Sequence, residues 1–174
     1  DDAVNFGSTV TTTGSSIAVA TADTVDFDGN VLAANGLTIS TVATDIDLGA
    51  NVNLTSTAGN LAANTGVTAI NLSGAGSNII TAGGDVNLGA VVDGATITEL
   101  ELVGESITLA AVTLNNDTSN LLDVNLDGAA DGGAKTLTAA GAISVGQLTV
   151  DGQNSDDAVN FGSTVTTTGS SIAI

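Results

Sequence analysis

The stretch Asp1–Ala18, DDAVNFGSTVTTTGSSIA, returns unchanged at Asp156–Ala173. The following residue is Val19 in one copy and Ile174 in the other. Eighteen consecutive identities, set 155 residues apart, mark a tandem repeat. A repeat decides architecture before any local propensity does. Repeat proteins are quasi-one-dimensional, and each unit contacts only its neighbours. On this reading 1–155 is one β-helical repeat and 156–174 is the first coil of the next, identical one. The chain contains no Met, which leads to the expectation that it is a window on a longer protein.

A shorter period lies inside the long one. One apolar column runs Val4, Val25, Ile46, Ile70, Leu100, Val124 and Val159. A second runs Val10, Val31, Val52, Ile79, Ile107, Leu137 and Val165. A third runs Ile17, Ile39, Leu61, Val86, Val112, Ile143 and Ile172. The spacing is 21 or 22 residues at first and 24 to 35 afterwards. Within each unit the pattern alternates, as in Val4-Asn5-Phe6, Val25-Asp26-Phe27 and Ile46-Asp47-Leu48. Alternation with a period of two places the apolar pair on one face of a strand. Gly recurs after the strands, where corners need conformations that other residues resist. Equivalent strands recurring once per coil must stack in parallel. The sequence therefore predicts an all-β fold, a right-handed parallel β-helix (β-solenoid) with about six three-strand coils per 155-residue repeat. At strand spacing six coils advance about 29 Å. The longer gaps at Gly89–Thr96, Gly128–Ala134 and Gly146–Asp157 read as bulging loops.

Composition narrows the function. There are 19 acidic residues against one basic residue, Lys135, giving a formal charge of −18. Phosphate recognition needs basic side chains, so no nucleic-acid partner is expected. No apolar run approaches the roughly 18 residues that span a bilayer, so no membrane insertion is expected. There is no His, Cys, Arg or Tyr, and Ser has no base to activate it. The three Phe sit in core columns rather than in a sugar-holding cleft. The chain is therefore expected not to be an enzyme. Thr-rich strands such as Thr9–Thr13 do not repeat Thr at one column, as an ice-binding ladder would require.

The polar residue of the first strand forms its own column of Asn5, Asp26, Asp47, Asn71, Glu101, Asn125 and Asn160. Asp45, Glu99 and Asp123 lie beside it. Carboxylates stacked at strand spacing repel one another unless a cation sits between them. Oxygen-only clusters suit Ca²⁺. Asp26, Asp45 and Asp47 form one candidate group, and Glu99, Glu101 and Asp123 a second. The loop bearing Asp127 and Asp131 is a third candidate. The competing reading of the same residues is a solvated acidic face that keeps a fibre soluble. The Gly-Asp nonapeptide of calcium β-rolls is absent.

Phrases such as Ile80–Ala90 (ITAGGDVNLGA) and Leu137–Gly146 (LTAAGAISVG) resemble the repeats of filamentous-haemagglutinin-type and autotransporter-passenger proteins. That resemblance implies an extracellular, bacterial cell-surface β-helix. It carries over no binding residues. Two functions follow as expectations. The first is a structural repeat of an extracellular fibre, sheath or filament whose partner is itself, through covalent or head-to-tail stacking. The alternative is the stalk of an adhesin that recognises a glycan or other surface ligand through its long loops.

Overall fold

Short alternating segments can bury only one face each, so they are stable only when stacked on like segments. The computed structural model describes residues 2–63, 69–94, 96–114, 117–126, 133–169 and 171–174, and it shows this stacking throughout. The first coil comprises β1 (Ala3–Phe6), β2 (Val10–Thr11) and β3 (Ile17–Val19). The second comprises β4 (Ala22–Phe27), β5 (Val31–Ala33) and β6 (Leu37–Ile39). The third holds β7 (Val42–Leu48), β8 (Asn53–Ser56) and β9 (Leu61–Ala63), and the fourth β10 (Ile70–Leu72), β11 (Gly76–Ala82) and β12 (Val86–Leu88). The fifth holds β13 (Val91–Asp93), β14 (Ile97–Val103) and β15 (Ser106–Leu109). In the sixth are β16 (Val112–Leu114), β17 (Leu121–Leu126) and β18 (Thr136–Ala139). The seventh contains β19 (Ile143–Val145), β20 (Gln147–Gly152) and β21 (Ala158–Phe161), and β22 (Val165–Thr167) and β23 (Ile172–Ala173) begin an eighth.

Every third strand pairs in parallel, giving three sheets along one axis. The first sheet runs from β1 to β22, the second from β2 to β23, and the third from β3 to β21. The fold is thus the expected parallel β-helix, with three strands in each coil. The inner columns form one continuous core. Val25, Ile46, Ile80, Leu102, Val86 and Ile107 are all 0 % exposed. Phe6 stacks on Phe27 with ring centroids 4.8 Å apart. Asn78 is a buried polar residue that closes a corner from inside. Its Nδ2 donates to Gly49 O at 2.8 Å and to Val52 O at 3.2 Å. The core thins at both ends, where Val4, Phe6, Ile17, Val159, Phe161 and Val165 are only partly buried.

The columns keep to their expected sheets through the fourth coil, but two are already out of register: Val31 pairs with Leu54 rather than Val52, and Ile17 with Leu37 rather than Ile39. Val4, Val25, Ile46 and Ile70 do share the first sheet. The next member of that column is Val91, not Leu100, which lies in the second sheet with Val124. Val159 lies in the third sheet, on Leu137. The segments Gly89–Thr96 and Gly146–Asp157, expected to be loops, contain β13 and β20. Most of Gly128–Ala134 lies outside the described residues. With β13 and β20 included, the described residues of the 155-residue period form the twenty strands β1–β20. That is six complete coils and two strands of a seventh, an advance of about 32 Å rather than 29 Å.

Candidate functional site

Outward-facing polar residues stack as the inner ones do, so register alone decides which carboxylates meet. On the first sheet Asn5, Asp26, Asp47 and Asn71 occupy successive rungs. Asn5 Nδ2 donates to Asp26 Oδ2 at 2.9 Å, and Asn71 Nδ2 donates to Asp47 Oδ1 at 2.7 Å. The two amides thus bracket the Asp26–Asp47 step, the one place in this ladder where like charges adjoin. Burial, then the charges of Asp28 and Asp47, push the Asp26 carboxyl above the usual carboxylate range. Asp45 lies on the same sheet in register with Thr24.

The second acidic group sits on a different sheet. Glu101 and Asp123 are register partners on the second sheet, with Thr149 next above. Glu99 is on the same strand as Glu101, between Ser77 and Leu121. Burial raises the Glu101 carboxyl, and Glu99 and Asp123 add to the effect. Burial and the charge of Asp151 raise Asp123 in the same direction. The sequence reading placed Asp26 and Glu101 in one column; the structure separates them onto two sheets, while keeping each group's own neighbours together. Asp127 and Asp131 lie outside the described residues. Among the described residues no three carboxylates converge so as to hold a metal ion. Each ladder thus holds one pair of stacked carboxylates, Asp26–Asp47 on the first sheet and Glu101–Asp123 on the second, flanked by uncharged residues.

Two polar arrangements escaped the sequence reading. The Lys135 side chain is buried, and its Nζ lies 3.8 Å from Glu105 Oε1. Asp157 closes the corner above it. Its Oδ1 accepts from the Lys135 backbone N–H at 2.8 Å and its Oδ2 from the Asn154 N–H at 2.9 Å. These backbone N–H groups, Asn154's first, hold the Asp157 carboxyl below the usual range. A lone Lys immediately before an alternating strand was the available signal for the first arrangement. The run Asn154-Ser155-Asp156-Asp157, an Asp three residues after an Asn at a turn, was the signal for the second.

Comparison with protein-family models, with curated protein sequences and with solved structures gave no match. The class that the fold defines is the parallel β-solenoid with tandem repeats.

Proposed function

We propose that the chain is a structural repeat of an extracellular bacterial fibre, sheath or surface filament, of the filamentous-haemagglutinin or autotransporter-passenger kind. One observation carries the reading. The returning stretch forms β21, β22 and β23, which stack on β18, β19 and β20 of the repeat that precedes it. One repeat's end is therefore a fitted seat for another repeat's beginning. Bare parallel edges invite further strands, and an array satisfies them with its own sequence. The acidic ladders give the rod a solvated, mutually repelling surface. Electron microscopy of the native material should show thin rods; globular particles would contradict the proposal.

A ligand-binding adhesin stalk is the weaker reading. Two of the three segments available as recognition loops are occupied by β13 and β20, which shortens the exposed chain a ligand could meet. A glycan array probed with the isolated chain should be blank. Saturable binding to a defined glycan would favour the adhesin.

A further inference from the structure

The same residues occupy different sheets in their two copies. Ala3–Phe6 is β1, at the start of the first sheet, whereas the identical Ala158–Phe161 is β21, at the end of the third. Likewise β2 lies in the second sheet and its counterpart β22 in the first; β3 lies in the third and β23 in the second. Each strand has moved by one sheet. The cause is arithmetic: twenty strands separate the copies, and twenty is not a multiple of three.

The local environments agree with a fitted seat at this phase. Above β1, Val4 and Phe6 meet Val25 and Phe27. Below β21, Val159 and Phe161 meet Leu137 and Ala139. Together these define a column in which the bulky Phe rests on a small Ala and is capped by a second Phe. The burial of β1 and β21 alternates identically, so the segment suits either sheet. Gly14 and Gly169 are the same repeat position. A Cβ on Gly14 would meet nothing within 4 Å, but on Gly169 it would lie 2.4 Å from Thr118 O and 2.6 Å from Gly146 O. The glycine is thus demanded by a coil lying beneath it, in the rotated position that the second copy occupies.

We infer that successive repeats of the array are each turned by one third of a coil about the fibre axis. The open upper edge formed by β21, β22 and β23 is then the docking surface for a second copy's β4, β5 and β6, placed on the third, first and second sheets. A given side chain returns to the same side of the rod only after three copies. Three copies make twenty coils, about 96 Å of axis. The Asn–Asp–Asp–Asn ladder travels with this rotation. It lies on the first sheet here, and Asn160, the counterpart of Asn5, is already its first rung on the third. Charge is thereby spread over three sides, and a neighbouring rod meets the same surface from each side at an axial offset of about 32 Å. This inference does not depend on whether the array serves as a filament or as a stalk.

Cysteine pairs test it in the chain as it stands, which has no Cys of its own. Adjacent parallel strands bring register partners to about 4.8 Å, within disulfide reach. Thr138→Cys with Asn160→Cys should be joined on mild oxidation, and so should Ser144→Cys with Thr166→Cys, because these are register partners. Ser144→Cys with Asn160→Cys, on different sheets, should be joined at least tenfold more slowly. All three pairs are at exposed or half-buried surface positions, and circular dichroism reports whether each variant keeps its β-structure. Rapid joining of the Ser144–Asn160 pair would place the second copy in phase with the first and overturn the inference. So would failure of both register pairs in folded protein.

Discussion

At the scale of single residues, position in the stack decides cost. Gly169→Ala should weaken the last coil by about 1–3 kcal/mol, because the added methyl runs into backbone carbonyls that cannot move aside. Gly14→Ala, at the same repeat position but over open space, should change stability by less than about 0.5 kcal/mol. Amide hydrogen exchange across β22 and β23, and across β2 and β3, reads the two cases separately. Lys135 supplies a second test. It is the chain's sole trypsin site and is 5 % exposed, with Thr136 opening β18 immediately after it. Folded protein should therefore resist trypsin, and cleavage should begin only once urea has carried it through its unfolding midpoint.

At the scale of the strand, the acidic ladder separates two physical accounts. If the Asp26–Asp47 step is plain repulsion between solvated carboxylates, Asp26→Asn should raise stability by about 0.2–1 kcal/mol. A bound cation would reverse that sign, and chelator would then lower the melting temperature of the parent protein. The expected results are stabilisation by Asp26→Asn and no effect of chelator. These neighbours were legible in the sequence because coils of 21 residues keep Val4, Val25 and Ile46 in phase. Phase was lost at β13. That strand has three residues, of which Val91 alone is fully buried, so it shows no alternation to read. β20 was legible in principle, since Leu148 and Val150 are buried on either side of a half-buried Thr149. It was missed because the phase slip upstream had already assigned that stretch to a corner. Omitting two strands from twenty turns a rotated repeat into one in register with itself.

At the scale of the whole molecule, charge opposes what burial builds. Asp26, Glu101 and Asp123 all have carboxyls raised by folding. A raised acid stabilises the fold while protonated, and that contribution is lost as pH climbs through its folded value. Stability should therefore fall as pH rises from about 4 towards 7. Asp157 and Asp117 work in the opposite direction: their lowered carboxyls contribute above the ordinary carboxylate range, and the contribution disappears on further acidification. The melting temperature should pass through a maximum in mildly acidic solution. Added salt at neutral pH should raise it by screening the net charge of −18.

Such a rod is specified by how many strands fit into one period. Electron cryo-microscopy of a chain of nine joined repeats measures that number directly, as the rise and rotation relating one repeat to the next. Twenty strands in three sheets predict a rise of about 32 Å with a rotation of one third of a turn, beyond any gradual twist of the stack. A rise near 29 Å with no such rotation would mean eighteen strands per repeat and would contradict the stacking described for this chain.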